Sequence, residues 1–250
     1  MKTITLDNAA VHHGDLILVN AQYPYRDTLP LKSLAPACGA GSPVFLDIRA
    51  AAVLDRLLAD IGAGGRIVPV SGWRSKTEQE ALYAGALAGH GPDYTRKFVA
   101  LPGHSEHETG LAIDLAQNSN AIDFICPDFP DTGVCRAFRR AAAAFGFVER
   151  YPKGKEPCTG IAHEPWHFRY VGRPHAALMA EYGWCLEEYI GAVKSYPFGG
   201  RPLVLRGCQV AYLPLGAGGR TSFTLPDGTD YALSGNNADG FLLTTWEAAR

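Results

Sequence analysis

Apolar residues recur at helical spacing across residues 47–60 (DIRAAAVLDRLLAD), where Ile48, Ala52 and the Leu57/Leu58 pair fall roughly on one face and Gly62 supplies a stop. The period then changes. IVPVS (67–71) reads as a strand, and SKTEQEALYAGALAG after it as a helix opened by Ser75, with Glu78 three residues on in the reciprocal capping pattern. LAIDL (111–115) alternates like a strand, with Ala112 and Asp114 on one face and Leu111, Ile113 and Leu115 on the other. Residues 134–145 (VCRAFRRAAAAF) return to helical spacing and close near Gly146. HEPWHFRYV (163–171) is β-like, but Pro165 lacks the donor that a regular ladder needs, so its start should be irregular. Residues 173–193 read as helix with Gly183 as a break, and residues 15–20 (DLILVN) as a short β-like run. Stretches 86–101 and 150–160 read as loops.

From Ser195 the texture changes. PLVLRG, CQVAYLPL, TSFTLP, DYALSG and FLLTTW are short β-like runs separated by Gly, Asp and Asn turns. The chain is therefore expected to divide into a domain over residues 1–195 and a small β-rich appendage over residues 196–250.

Composition narrows the class. With 250 residues and 47% apolar content the chain can bury a sizeable core. Its 23 basic and 25 acidic residues are interspersed, giving a net charge of −2, so binding driven by phosphate neutralisation, as for nucleic acid, is not expected. No stretch reaches the roughly 18 uninterrupted apolar residues of a membrane span. Asp7, His12, His13 and Asp15 break up the N-terminal segment as a secretory signal. A cytoplasmic protein without membrane insertion, a monomer or homodimer, is the expectation. Six scattered cysteines with no CxxC spacing are then expected to be reduced thiols.

Two polar segments concentrate the chemistry. Residues 105–114 carry Ser105, His107 and Asp114, and residues 164–167 carry Glu164, Trp166 and His167. Two imidazoles and one carboxylate suit a catalytic Zn²⁺, because three protein ligands leave a fourth position for water, whose pKa the metal lowers towards about 7. A carboxylate outside the ligand set, here Glu164, can move the proton. Spacing alone leaves blander roles open. The two histidines could be ordinary hydrogen-bonded side chains, and Ser105 a turn or cap residue. Arg74 could form a surface ion pair, Gln79 could be solvated on its helix, and Trp166 could be core. A Ser105–His107–Asp114 triad is disfavoured, since no GxSxG elbow accompanies it.

The segments SGWRSKTEQEALY, PGHSEHETGLAIDL and TGIAHEPWHFRYVG, in this order, resemble the VanY/VanXY-type zinc D-alanyl-D-alanine carboxypeptidases and dipeptidases, over about residues 15–190. The resemblance implies an α+β fold, a small antiparallel sheet flanked by helices of the hedgehog/D-Ala-D-Ala-peptidase type. It also implies hydrolysis before a C-terminal D-alanine in small peptidoglycan-precursor peptides, with a possible glycopeptide-resistance role. On the matching positions, His107, Asp114 and His167 correspond to the ligands of one zinc ion and Glu164 to the general base and acid. Arg74 corresponds to the cation at the scissile carbonyl, and Gln79 and Ser105 to substrate contacts. Trp166 is expected near the D-Ala methyl or behind His167. Alternatives kept open are an L,D-carboxypeptidase trimming tetrapeptides and a non-catalytic wall-peptide binding module. Glu106 is expected to orient the loop and Glu108 to be solvated.

Overall fold

The computed structural model describes residues 1–205 and 207–247; Arg206 of the expected PLVLRG run and residues 248–250 of the expected appendage lie outside the described residues. In chain order the elements are β1 (Lys2–Asp7), β2 (Leu34–Pro36), β3 (Phe45–Asp47), α1 (Ile48–Asp60), β4 (Ile67–Ser71), α2 (Lys76–His90) and α3 (Pro92–Phe98). There follow β5 (Ala112–Gln117), α4 (Gly133–Ala142), β6 (Phe147–Tyr151), α5 (Glu156–Thr159), β7 (Glu164–Tyr170), α6 (Arg173–Tyr182) and α7 (Leu186–Val193). The chain ends with β8 (Leu203–Leu205), β9 (Cys208–Pro214), β10 (Arg220–Leu225), β11 (Asp230–Gly235) and β12 (Gly240–Trp246).

These elements fall into two compact units, residues 19–185 and residues 1–18 with 186–250. The division thus lies before residue 195, and the second unit takes up the N-terminus. The physical reason is that β1 pairs antiparallel with β10, Lys2 opposite Leu225 through Asp7 opposite Arg220, a pairing between chain ends that no local pattern reveals. Every β-like run read beyond Ser195 contains a strand. Four of these form an antiparallel sheet in the order β11-β12-β9-β8. Val11, Leu213, Phe223, Leu225, Phe241 and Leu243 form the apolar core of this unit. Residues 15–20 are not a strand. Leu16, Ile17 and Leu18 are buried, but Leu16 N donates to the Ser234 side chain and Leu18 N to Asn236 O, single anchors instead of a ladder.

In the unit of residues 19–185 the sheet order is β4-β5-β7-β6, every pair antiparallel. Helix α1 packs on its core. Asp47 caps it, accepting from Arg49 N (3.0 Å) and Ala50 N (3.3 Å), a role the sequence reading did not give it. Its buried stripe is Ala50, Val53, Leu54 and Leu57, whereas Ile48 is 53% exposed. The expected face is therefore rotated, since the i, i+3, i+4, i+7 set starts at Ala50 and not at Ile48. Leu54 and Leu57 are fully buried, each contributing about 1.5–3 kcal/mol. Helix α2 has the expected reciprocal cap: Ser75 Oγ accepts from Glu78 N, and Glu78 Oε2 accepts from Ser75 N at 2.8 Å. Most of the stretch 86–101 is helix and not loop. Gly91, at φ 78°, ends α2, and Pro92 occupies a first-turn position of α3, where its missing N–H costs nothing. Among the described residues, no helix is long and apolar enough to cross a membrane.

Candidate active site

Sheet register assembles the centre. Asp114 on β5 lies opposite His167 on β7, and Ser71 on β4 lies opposite Asp114 from the other side. Directly opposed residues of antiparallel strands project to the same face, so these three side chains meet. His107 arrives from a single 3₁₀ turn, Glu106–Thr109, that precedes β5. Gly110 ends that turn at φ 70°, where a Cβ would press on Leu29 Cδ2 at 2.7 Å. Glycine here lets the chain reverse from His107 into the strand of Asp114. Residues three apart in a regular strand point to opposite sides. Around Pro165, however, the β6–β7 register shifts, Tyr151 facing Glu164, and Glu164 Oε2 comes within 3.7 Å of His167 Nδ1.

The donor atoms converge. His107 Nε2 is 3.2 Å from Asp114 Oδ2, and His167 Nδ1 is 2.9 Å from Asp114 Oδ1. One donor from each residue lies within 4.8 Å of the others, and all three residues are buried. Although His167 Nδ1 is close, Asp114 Oδ1 accepts no well-aligned hydrogen bond among the described residues, the situation a cation would relieve. The other ring nitrogens are turned away: His107 Nδ1 is 2.7 Å from Gly72 O, and His167 Nε2 faces Glu106 Oε2 at 3.6 Å. An imidazole that donates to a carbonyl on one side offers a lone pair on the other. The residues present therefore fit a single cation with an N, O, N donor set.

Charges behind and around the centre are strongly biased. Burial and the neighbouring Arg74 and His167 charges lower the His107 pKa, with Asp114 opposing. Burial also works against charge on His167, but Asp114, Glu106 and Glu164 prevail and raise it to about 10. Asp114 is held well below the carboxylate range: burial opposes this, and the two imidazoles overcome it. Glu164 goes the other way, pushed by burial up to about 8.

Arg74, Gln79, Ser105, His107, Asp114, Glu164, Trp166 and His167, the eight residues given metal, catalytic or substrate roles, line one cleft. Arg74 lines the same cleft, its guanidinium donating to Gln79 Oε1 (2.7 Å) and to Ser71 Oγ. Gln79 is 1% exposed and its Nε2 donates to Ala100 O, so it is not a solvated helix residue. Ser105 Oγ accepts from His107 N at 3.4 Å, a cap that also borders the cleft. Trp166 is both core and cleft wall. Glu108 is buried and accepts from Gly103 N at 2.8 Å, contrary to the solvated role expected. Sequence reasoning missed Tyr151, whose ring lies 4.9 Å from that of His167, and the apolar wall of Leu82, Phe98, Phe124 and Ile161. Leu82 and Ile161 stand inside two of the motifs quoted above, and Phe98 and Tyr151 in the stretches 86–101 and 150–160, but these side chains carry no ligand chemistry that would single them out.

The model of the family VanY, D-alanyl-D-alanine carboxypeptidase, matches residues 44–173. This chain belongs to the VanY family. It is similar to the bifunctional D-Ala-D-Ala dipeptidase and D-Ala-D-Ala carboxypeptidase VanXYC of Enterococcus gallinarum, 39% identical over 175 residues, 70% of this chain and 92% of the relative. Among solved structures, the vancomycin resistance D,D-dipeptidase VanXYg, in complex with a D-Ala-D-Ala phosphinate analog, is 47% identical. It aligns over 98% of this chain and 99% of its own at a TM-score of 0.93. That likeness reaches past the segment 15–190 that carries the motifs. A mutant of the VanY-family D,D-pentapeptidase from the VanB-type resistance cassette, solved with Zn(II), is 31% identical over 70% of this chain and 98% of its own, at a TM-score of 0.57. The α+β fold with a small antiparallel sheet is that of VanY and VanXY peptidases.

Proposed function

We propose that the protein is a zinc peptidase that cleaves before a C-terminal D-alanine, acting on D-Ala-D-Ala, on D-Ala-terminated peptidoglycan-precursor pentapeptide, or on both. The observation that carries this reading is the buried convergence of His107, Asp114 and His167 in the cleft that also contains Glu164 and Arg74. One zinc ion per chain would be held by His107, Asp114 and His167, and would supply the electrophile that acidifies a water and polarises the scissile carbonyl.

The remaining work falls to the chain. Glu164 accepts the proton of the attacking water and returns it to the departing amine of D-alanine. Burial pushes its carboxyl upward in the metal-free site, and a bound cation would pull it back towards the range in which a group can both take and give a proton near neutral pH. Arg74 aims a guanidinium at the oxygen that gains charge in the transition state, a contribution of about 3–4 kcal/mol when the donor is preorganised. Preorganisation comes from Ser71 and Gln79, which hold the fork from two sides. Ser105 and Gln79 border the terminal part of the substrate, and Trp166 supplies an apolar wall for the D-Ala methyl. The unit of residues 19–185 holds every residue assigned to the chemistry. Free dipeptide and soluble precursors are cytoplasmic, the compartment this reading favours.

Zinc-loaded protein should release D-alanine from D-Ala-D-Ala or from a UDP-muramyl-type pentapeptide, and the ratio of the two rates separates dipeptidase from carboxypeptidase. Glu164→Ala should keep its zinc and lose turnover by orders of magnitude. Full turnover in that variant sinks the mechanism. Release from a tetrapeptide alone would favour the L,D-carboxypeptidase, and binding without any release a wall-peptide binding module.

A further inference from the structure

Outside the cleft, the unit of residues 19–185 brings together two thiols distant in sequence. Cys158 Sγ lies 3.4 Å from Cys185 Sγ. Cys158 sits in the single turn α5 and is exposed; Cys185 follows α6 and is 1% exposed. A disulfide needs its sulfurs at about 2.05 Å, so closure asks for a shift of little more than an ångström from a side chain in a one-turn helix. The other cysteines are differently placed. Cys38, Cys126 and Cys208 are half-buried, Cys126 within 3.3 Å of the Tyr94 hydroxyl, and Cys135 is buried. Burial pushes the Cys38 thiol up to about 12, which keeps it protonated and poorly nucleophilic. Cys158 is the one exposed cysteine among the described residues.

We propose that Cys158 and Cys185 form a redox-active dithiol that closes to a disulfide when it meets a small-molecule disulfide oxidant. The exposed Cys158 thiolate attacks one sulfur of the oxidant RSSR. A Cys158–SR mixed disulfide forms and one RS⁻ leaves. The Cys185 thiolate then attacks Cys158 Sγ, forming the protein disulfide and expelling the second RS⁻. The protein gives up two electrons and two protons, and RSSR becomes two RSH. The site matters because of what α5 carries. Thr159 Oγ1 is 3.2 Å from Ile161 O, Ala162 N donates to Lys97 O, and Ile161 lines the cleft beside Tyr151 and Glu164. Closure ties this rim segment to the end of α6 and removes part of its freedom in the unfolded chain.

The full-length protein is reduced, then incubated with oxidised glutathione and analysed by intact mass and by non-reducing peptide mapping. The expected result is a loss of about 2 Da, the two thiol hydrogens, with a Cys158–Cys185 cross-linked peptide that dithiothreitol reverses. Tm should rise on oxidation by about 5–10 °C, the effect of closing a loop of this length in a protein of this size. Cys158→Ser, at an exposed position that does not threaten folding, should abolish the mass change and the Tm shift together. An unchanged mass, a stable glutathione adduct on Cys158, a cross-link between two chains, or a cross-link to another cysteine would overturn the proposal. Each readout is independent of peptidase activity, so failure here leaves the proposed function standing, and the reverse.

Discussion

Two buried glutamates of the site are pushed in opposite directions. Glu106, on the floor behind His167, is fully buried, and its carboxylate meets Arg150 Nε at 2.8 Å and Arg169 NH1 at 2.9 Å. Glu164, at the edge facing the cleft, is 5% exposed, and Arg150 is the weakest of the influences acting on it. Burial alone raises both carboxyls. In Glu106 the two guanidiniums overrule it and hold the group far below the usual range; in Glu164 burial wins and the group sits at about 8. The same side chain is thus a fixed negative charge behind the floor and a carboxyl held towards its protonated form at the edge, where the proposed mechanism uses it to carry a proton. The difference is set by β6 and β7, which deliver both arginines to one side of the floor.

The sharpest way to break this comparison is to remove the floor charge. Glu106→Gln removes the carboxylate charge that both buried arginines meet, and breaking a buried ion pair from one side costs about 3–5 kcal/mol. Denaturant unfolding at pH 7 should register a loss of that order, together with weaker metal binding as His167 loses the carboxylate behind its Nε2. The sign with pH follows from the lowered pKa. The stabilisation Glu106 provides is present above its unfolded pKa, near 4.5, and disappears as pH falls towards the folded value. The gap between wild type and variant should therefore narrow on acidification. A gap that stays constant down to pH 3 would mean that Glu106 acts by shape and not by charge.

The edge should respond with the opposite sign. A carboxyl raised from 4.5 to about 8 favours the folded state only while protonated, so metal-stripped wild type loses stability as pH climbs through that window. Glu164→Gln lacks the proton-linked penalty. It should exceed wild type by about 2–4 kcal/mol at pH 8 and match it near pH 4. Parallel unfolding curves of the two proteins from pH 4 to pH 8 would contradict the contrast drawn between floor and edge.

How much of this was legible beforehand divides along the same line. His107, Asp114, Glu164 and His167 stand in polar motifs whose donor types suit a metal and whose roles the resemblance implies, and all four line the same cleft. The cap at Ser75, the break at Gly183 and the irregularity at Pro165 are local, and local pattern found them. Glu106 was visible as a carboxylate but not as a buried one, because its arginines come from strands more than forty positions away. The α1 face, the division of the units and the buried state of Glu108 depend in the same way on partners distant in the chain. Residues 15–20 looked like a strand because apolar runs are common to strands and to buried irregular segments. Only hydrogen-bond partners separate the two.

The smallest effect belongs to a residue that touches neither glutamate of the comparison. Ser75 starts α2, and four residues on, Gln79 holds Arg74 at the cleft. Ser75→Ala removes one half of a reciprocal cap and should cost about 1 kcal/mol of stability, with little dependence on pH between 6 and 8. Gln79 is buried and is anchored separately by Ala100 O. The cap therefore should not set the position of Arg74, and kcat should change less than about twofold, well under the tenfold per 1.36 kcal/mol expected if that energy were lost from the transition state. A drop in kcat matching the stability loss would extend the catalytic edge from Glu164 and Arg74 down to the first turn of α2.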